Sequence, residues 1–184
     1  MQKKIFLDMD GVLVNFDQGV RDQFKVDWYP GEFKINYQKE FGMSKDLFWS
    51  ILDNERFWAE LPWTTHGEAV MRLVENLRPC ILSTVVVPSA FAGKYQWLQK
   101  NFPSPLKDSR VLFTSAMIGE THDSKRHCAG PGSILIDDNE AMCKNWEDAG
   151  GEAILYPAAW NSMKHITDPV GYLMARLVHS LGLR

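Results

Sequence analysis

The sequence predicts an α/β protein in which a parallel sheet is covered by helices on both faces. Short apolar segments alternate with amphipathic ones along most of the chain, which is typical of a parallel sheet with helical crossovers. The apolar segments are nearly continuous in Ile, Leu, Val and Phe, as expected for strands that are buried on both faces. With 184 residues, the chain is long enough for one domain with a sizeable core.

Five apolar segments are the predicted strands: KIFLD at 4–8, CILST at 80–84, RVLFT at 110–114, SILID at 133–137 and EAILY at 152–156. Segments with apolar residues at helical spacing lie between them, at 67–77, 90–102 and 139–149. The third of these segments ends at Gly150-Gly151, a common stop signal for a helix. A final helix is expected to begin at Asp168-Pro169, because a capping residue followed by proline is typical of a helix start.

Residues 15–63 interrupt this pattern and predict a mostly helical insertion after the first strand. The stretch is far longer than the usual connection of about 2–6 residues between a strand and a helix. Helices are expected near 15–24 and 44–54. Its aromatic residues are expected to form mainly a core of their own, with a minority facing a ligand: Phe16, Phe24, Trp28, Tyr29, Phe33, Tyr37, Phe41, Phe48, Trp49, Phe57, Trp58 and Trp63. We therefore predict a core of residues 1–14 and 64–184 and a cap of residues 15–63.

The composition is that of an ordinary globular protein with a formal net charge of −3. A nucleic acid is therefore not expected as the main partner, whereas a small anionic substrate is compatible because a local metal site can override a weak global charge. The three cysteines are far apart and odd in number, which predicts free thiols in a reducing cytoplasm. The apolar run before Asp8 is too short for a signal peptide, and no segment approaches the roughly 20 apolar residues of a membrane span.

Acidic and hydroxyl residues follow three of the predicted strands. They are Asp8 and Asp10 after the first strand, Ser83 and Thr84 at the end of the second, and Asp137 and Asp138 at the end of the fourth. In open α/β sheets, ligands bind outside the carboxyl ends of the strands, so these side chains are expected to converge. Such a cluster of oxygen ligands suits Mg²⁺ together with a substrate phosphate. Lys125, favoured over the adjacent Arg126, is the expected basic partner.

Two other interpretations of the first two aspartates are weaker. A calcium-binding loop that starts at Asp8 would need an oxygen ligand at its fifth position and Glu at its twelfth, where Val12 and Gly19 stand. This interpretation is excluded. A plain turn at Asp10-Gly11 would leave the carboxylate of Asp8 at the end of a buried strand unexplained.

Several stretches of the chain resemble a known family. IFLDMDGVLVNF, in which a strand runs into DxDG, resembles the nucleophile motif of the haloacid dehalogenase-like hydrolases, and GSILIDDN matches a later strand that ends in DD. More narrowly, ERFWAELPWTTHGEA, ILST and GKYQWLQKNF resemble the 5′(3′)-deoxyribonucleotidases. These stretches span nearly the whole chain outside the insertion. The resemblance implies a three-layer Rossmann-like core with strand order 3-2-1-4-5 and a helical cap after the first strand.

The resemblance also implies roles for the charged residues. Asp8 would attack a phosphate monoester and form an aspartyl-phosphate. Mg²⁺ would bind Asp8, the backbone carbonyl of Asp10, and Asp137. Asp138 would either bind the metal through water or orient its neighbours. Asp10 would donate a proton to the leaving oxygen and then activate the hydrolytic water. Lys125 would balance the negative charge of the phosphate.

The remaining residues of the expected site bind the phosphate or the leaving group. A hydroxyl at Ser83 would hold a phosphoryl oxygen, and the adjacent Thr84 is open as an alternative. Backbone N–H groups near Gly11 would assist. Phe16, eight residues after the nucleophile, would pack against the substrate base. Lys94 would either reach the phosphate loop or lie in solvent.

The expected function is a Mg²⁺-dependent phosphomonoester hydrolase, in particular a 5′-nucleotidase that acts on deoxynucleoside monophosphates. One alternative keeps the chemistry and changes the substrate to a phosphosugar or a nucleic-acid 3′-phosphate end. Another is a regulatory protein that binds phosphate without turnover. The slightly acidic composition weighs against a polynucleotide substrate, and the retention of every carboxylate weighs against loss of catalysis. The sequence leaves both a monomer and a homo-oligomer open.

Overall fold

The structure is a computed structural model that describes residues 3–26, 37–115 and 125–183. Its centre is a five-stranded sheet in the order β3-β2-β1-β4-β5, and all of the pairs are parallel. The strands are β1 (Lys4–Leu7), β2 (Cys80–Val85), β3 (Val111–Ser115), β4 (Ser133–Asp137) and β5 (Glu152–Leu155). The predicted α/β fold class and the strand order 3-2-1-4-5 are confirmed.

The strand register determines which residues meet at the carboxyl edge of the sheet. Leu7, the last residue of β1, is paired with Ile81 of β2 and with Ile136 of β4. The residues that follow Leu7 and Ile136 therefore emerge side by side at this edge. Leu7, Ile81 and Ile136 are fully buried, as the continuous apolar segments predict for a sheet covered on both faces.

Helices connect the strands and cover the sheet. They are α1 (Phe16–Phe24), α2 (Tyr37–Glu40), α3 (Lys45–Leu52), α4 (Glu55–Ala59), α5 (Gly67–Val74), α6 (Pro88–Asn101), α7 (Ser104–Lys107), α8 (Glu140–Asp148) and α9 (Pro169–Leu181). The start of α9 is as predicted, because the Asp168 side chain accepts a hydrogen bond from the N–H of Gly171 at 2.9 Å. The predicted helix at 67–77 is shorter, since a 3-10 turn at Glu75–Leu77 tightens its last residues before β2.

The helices between β1 and β2 share one apolar core with the sheet. Phe48 of α3 and Trp58 of α4 belong to the same buried cluster as Leu7 and Ile136. The aromatic residues of this segment therefore pack partly against the sheet and not only among themselves. Residues 27–36 of the predicted cap, with Trp28, Tyr29 and Phe33, lie outside the described residues.

A second, smaller cluster covers the opposite face of the sheet: Phe6, Cys80, Leu82, Leu135, Cys143, Trp146 and Ala153. The rings of Phe6 and Trp146 meet edge to face with centroids 5.0 Å apart. The three cysteines are free thiols. Within the described ranges, none of the helices combines the length and the apolar character needed to cross a bilayer.

Candidate active site

Three aspartates meet at the carboxyl edge of the sheet. Asp8 directly follows β1, and its N–H donates to the carbonyl of Ile136 at 3.0 Å. Asp137 is the last residue of β4, and Asp138 comes next. Asp8, Asp137 and Asp138 are buried, and each places a carboxylate oxygen within 4.8 Å of those of the other two. The convergence that the strand ends predict is therefore present for these residues.

Lys125 joins two of these carboxylates. Its Nζ lies 2.8 Å from Asp8 Oδ1 and 2.7 Å from Asp137 Oδ2, and its side chain is 3% exposed. Burial by itself would lower the pKa of Lys125, but the carboxylates of Asp137 and Asp8 raise it above its ordinary value. A permanent positive charge therefore lies next to Asp8.

Asp138 is held by two residues of the loop after β5. The indole N–H of Trp160 donates to Asp138 Oδ2 at 2.5 Å, and the Asn161 amide donates to the Asp138 carbonyl at 2.8 Å. The same amide also donates to the carbonyl of Tyr156 at 2.8 Å, which ties the loop to the end of β5. These contacts fix the orientation of the Asp138 carboxyl group.

The acidic cluster carries more negative charge than its surroundings balance. Burial raises the pKa of Asp137 to about 6, and the neighbouring Asp8 adds to this effect against the opposing charge of Lys125. Burial, followed by Asp137 and Asp8, raises the pKa of Asp138 well above its ordinary value. Both shifts arise mainly from burial of the carboxylates, and the repulsion between the aspartates adds to it.

The donor set fits a hard divalent cation. One carboxylate oxygen of Asp8 and one of Asp138 have no hydrogen-bond donor among the described residues. Carboxylate oxygens that lie close together are the ligands that Mg²⁺ prefers. Asp8, Asp137 and Asp138 are therefore the residues that would hold such an ion.

Gly11 allows the loop after β1 to approach this cluster. Its φ of +77° lies in the left-handed region, and a Cβ at this position would lie 2.2 Å from Asp138 Oδ2 and 2.9 Å from Trp160. Its N–H donates to the carbonyl of Val14 at 2.8 Å. The N–H of Gly11 itself is thus used within the loop, and the expected help from backbone N–H groups near Gly11 stays a prediction.

The side chain of Asp10 points towards a second buried lysine. Lys94 of α6 is fully buried, and its Nζ lies 2.5 Å from Asp10 Oδ2, 2.9 Å from Ser83 Oγ and 2.8 Å from the carbonyl of Thr84. Two positions were expected for Lys94, in solvent or near the phosphate loop, and its observed position is closer to the second. Burial raises the pKa of Asp10 against the opposing charge of Lys94.

The two candidate hydroxyls occupy different environments. Ser83 is fully buried and accepts a hydrogen bond from Lys94. Thr84 lines the cavity above the acidic cluster, and its Oγ1 lies 3.2 Å from that of Thr114. The geometry therefore favours Thr84 over Ser83 as the residue that could contact a phosphoryl oxygen.

A cavity of about 460 Å³ opens over the aspartates, a size that suits a small organic phosphate. Phe16, Tyr37 and Trp160 contribute aromatic surface to its wall, and Asp17 contributes a carboxylate. The Tyr37 hydroxyl donates to Asp17 Oδ1 at 2.9 Å. Phe16 also stacks on Trp58 with ring centroids 5.6 Å apart, so it links the cavity to the apolar core.

Trp160 and Asn161 are site residues that the sequence analysis missed. They lie outside a recognisable motif, in the loop that follows β5. The one available signal was topological, because that loop leaves the same edge of the sheet as Asp8 and Asp137. Examining all loops after predicted strands would have included them.

The structure is similar to solved structures of HAD family hydrolases. CbbY from Rhodobacter sphaeroides in complex with phosphate has a TM-score of 0.59 at 15% identity, with 100% of both chains covered. A HAD family hydrolase from Deinococcus radiodurans with bound phosphate and sodium has a TM-score of 0.58 at 12% identity, covering 97% of this chain and 96% of that chain. A predicted phosphatase from Clostridium acetobutylicum has a TM-score of 0.53 at 12% identity, covering 83% of this chain and 84% of that chain.

These similarities show that the chain has the haloacid dehalogenase-like fold, as the DxDG and DD motifs predict. No protein-family model and no curated protein sequence matches the chain.

Proposed function

We propose that the protein is a Mg²⁺-dependent phosphomonoester hydrolase that acts through an aspartyl-phosphate. The observation that carries this proposal is the placement of Asp8, which contacts Lys125 and has a carboxylate oxygen within 4.8 Å of those of the buried pair Asp137 and Asp138, with Asp10 two residues further along. A carboxylate at the end of a central strand, next to a fixed ammonium group, is arranged to attack an electrophilic phosphorus atom.

Each step of the proposed reaction is assigned to a residue of this site. An oxygen of Asp8 attacks the phosphorus atom, the bond to the leaving oxygen breaks, and Asp10 gives that oxygen a proton. Asp10 then takes a proton from water, the water oxygen attacks the phosphorus atom, and the bond to Asp8 breaks to release inorganic phosphate. Lys125 offsets negative charge throughout. A Mg²⁺ ion at Asp8, Asp137 and Asp138 would supply the remaining positive charge and orient the phosphate.

A nucleoside monophosphate, and a deoxynucleoside monophosphate in particular, is the proposed substrate. The cavity of about 460 Å³ has aromatic surface from Phe16, Tyr37 and Trp160, on which a nucleobase can pack. The motif resemblance to 5′(3′)-deoxyribonucleotidases supports the same substrate class. The free thiols of Cys80, Cys128 and Cys143 are compatible with a cytoplasmic location.

The test is release of inorganic phosphate from a panel of deoxy- and ribonucleoside monophosphates, phosphosugars and oligonucleotides with a 3′-phosphate. We expect the fastest release from nucleoside monophosphates, with a requirement for Mg²⁺. Asp8→Asn should abolish turnover because the amide is not a nucleophile. Asp22→Asn, on the exposed side of α1, is the control and should leave the rate unchanged.

Each other result would identify an alternative. Faster release from a phosphosugar or an oligonucleotide end would keep the mechanism and replace the substrate. Full activity of Asp8→Asn would contradict the aspartyl-phosphate. Mg²⁺-dependent binding of phosphate without turnover of any ester would support a regulatory protein instead.

A further inference from the structure

We propose that Lys94 is a positioning residue that makes Asp10 a directed proton donor to the leaving group. This inference rests on the proposed function and assigns a task to a side chain that lies below the cavity and not in it. The starting observation is a lysine with no solvent exposure on a helix that packs against the site. A buried ammonium group is costly unless each of its donors is satisfied.

All three donors of the ammonium group have acceptors. Nζ lies 2.5 Å from Asp10 Oδ2, 2.9 Å from Ser83 Oγ and 2.8 Å from the Thr84 carbonyl. The group also lies 5.2 Å from the centre of the Trp58 ring. The position of Nζ is therefore defined from several sides, and through it the position of the Asp10 carboxyl group is defined.

The contact with Lys94 makes the two oxygens of Asp10 unequal. Oδ2 accepts the short hydrogen bond from Lys94, whereas Oδ1 is buried and has no hydrogen-bond partner within the described part of the chain. A proton on Asp10 is therefore placed on Oδ1, since Oδ2 already faces an ammonium group that has no lone pair to accept it. A leaving-group oxygen that contacts Oδ1 would give this unpaired atom a partner and would receive the proton.

This arrangement also explains why Ser83 is buried. Its hydroxyl accepts from Lys94 below the cavity, and the adjacent Thr84 lines the cavity. Ser83 thus supports the orientation of Asp10 through Lys94, and the two neighbouring hydroxyls have separate tasks.

The test compares two esters of similar size whose leaving groups differ in their need for a proton. Benzyl phosphate releases an alcohol whose alkoxide is very unstable, so it needs the proton; 4-nitrophenyl phosphate releases a stable phenolate and does not. The quantity to measure is kcat/KM with saturating Mg²⁺, because it reports the steps up to phosphoryl transfer and is independent of later hydrolysis of the phosphoenzyme.

We expect Lys94→Met to lower kcat/KM for benzyl phosphate by about 100-fold, the lower range for loss of a general acid, and for 4-nitrophenyl phosphate by less than about 5-fold. Lys100→Met, at an exposed position of the same helix, is the matched control and should leave both values unchanged. An equal loss with both esters, or no loss with benzyl phosphate, would overturn the role of Lys94.

Two more variants separate this role from a general effect on the fold. Asp10→Asn and the double variant Asp10→Asn/Lys94→Met should have the same kcat/KM for benzyl phosphate, since Lys94 acts through Asp10. A further loss in the double variant would contradict the inference. Ser83→Ala keeps the charge of Lys94, and it should slow benzyl phosphate by about 3–10-fold while sparing 4-nitrophenyl phosphate, as expected for one lost hydrogen bond.

Ser83→Ala also shows whether Ser83 acts by holding Lys94 or by contacting the phosphate directly. If Ser83 held the phosphate itself, both esters would be slowed equally, and the inference would be wrong. Absence of phosphate release by the wild-type protein from these two esters and from the nucleoside monophosphates would contradict the proposed function instead.

Discussion

Each of the two aspartates in the DMDG loop, residues 8–11, contacts a buried lysine. Lys125 lies 2.8 Å from Asp8 Oδ1, and Lys94 lies 2.5 Å from Asp10 Oδ2. Each aspartate therefore faces its own ammonium group, although the carboxylates are only two residues apart in the chain. Gly11, immediately after them, turns the loop with a positive φ and leaves room for Asp138. The site therefore depends on two carboxylate–ammonium pairs and on a glycine at position 11.

Gly11→Ala tests the need for that position. A methyl group would meet Asp138 and Trp160 and would also occupy the left-handed region. We expect the free energy of unfolding to fall by roughly 2–4 kcal/mol, as the αL cost and the steric cost combine, and phosphate release to be lost. Urea denaturation measures the first effect.

Gly42 is the matched control for Gly11→Ala. It has a φ of +62°, and nothing lies within 4 Å of its missing Cβ. Gly42→Ala should therefore cost only about 1 kcal/mol, the backbone term by itself, and leave activity intact. Equal costs at the two glycines would show that the contact with Asp138 is unimportant.

Trp160→Phe tests the hydrogen bond to Asp138. The ring is retained, but the N–H that orients the carboxylate is removed. We expect Mg²⁺ affinity to fall about 10-fold or more, as is typical when a partner of a metal ligand is lost. Isothermal titration of the metal-free protein with Mg²⁺ measures it. Trp146→Phe, whose buried N–H has no hydrogen-bond partner among the described residues, should leave the affinity unchanged, and an unchanged affinity in Trp160→Phe would contradict the role of Trp160.

The site residues at strand ends were predictable, whereas the burial of Lys94 and the position of Trp160 were not. Asp8, Asp137 and Asp138 follow apolar strands, and parallel strands bring such positions to one edge. Lys94 lies inside a helix, where a lysine is usually solvent-exposed, and only the packing of that helix shows that it is buried. The position of Trp160 depends on the path of the loop after β5, which no sequence pattern predicts.

The close contact of α4 and α6 determines where Lys94 lies. A Cβ at Gly93 would be 2.4 Å from the Glu55 carbonyl oxygen and 2.5 Å from Trp58 Cβ. The glycine therefore lets the two helices approach closely, with the centre of the Trp58 ring 5.2 Å from Nζ of the neighbouring Lys94. α4, the last helix of the insertion, thus packs against α6, the helix that contains Lys94.

Gly93→Ala should reverse the usual effect of this substitution. Alanine in a helix interior normally adds about 1 kcal/mol of stability relative to glycine. Here the methyl group would press on backbone atoms of α4, and we expect a net loss on the order of 2 kcal/mol in chemical denaturation. Lys100→Ala on the exposed side of α6 should change stability by less than about 0.5 kcal/mol. A stabilised Gly93→Ala variant would show that the helices can separate at little cost.

The elements themselves follow the sequence pattern closely. β4 occupies the predicted residues, and β3 is displaced by one residue, to Val111–Ser115. β1 ends at Leu7, one residue before the predicted end, because Asp8 turns away into the loop of the site. Such differences arise because hydrogen bonds between strands, and not apolar character, determine where a strand ends. The packing of the insertion against the sheet could not be predicted, since its aromatic pattern is compatible with a separate core.

In the molecule as a whole, an excess of negative charge lies at the carboxyl edge of the sheet. Four carboxylates, those of Asp8, Asp10, Asp137 and Asp138, surround two ammonium groups. When all are ionised, one divalent cation would neutralise the cluster. In the metal-free protein, ionisation of the buried Asp137 should therefore lower the stability of the fold.

The stability of the metal-free protein should fall as the pH rises from about 4 to about 7. The pKa of Asp137 is raised from 3.8 to about 6, so between these values the folded protein binds more protons than the unfolded chain. Stability falls with pH in this window, and we expect a decrease on the order of 2 kcal/mol from this residue. Thermal unfolding in EDTA measures it.

Asp137→Asn is the control for this pH dependence, because it removes the titrating group. Its unfolding temperature in EDTA should change less between pH 4 and pH 7 than that of the wild type. Mg²⁺ should stabilise the wild type more at pH 7 than at pH 5, since protons compete for the same oxygens. A metal-free wild type that became more stable over this range would be inconsistent with the raised pKa of Asp137.

The shared core of the insertion and the sheet limits how the protein can be re-engineered. Trp58 packs against Gly93 and Lys94 of α6, and Phe16 links the cavity wall to Trp58. A graft of residues 15–63 from a relative with another specificity would therefore bring a foreign surface against α6. A working chimera would need α6 from the same donor as the insertion, so the exchangeable unit of this molecule is a pair of segments that are distant in the chain.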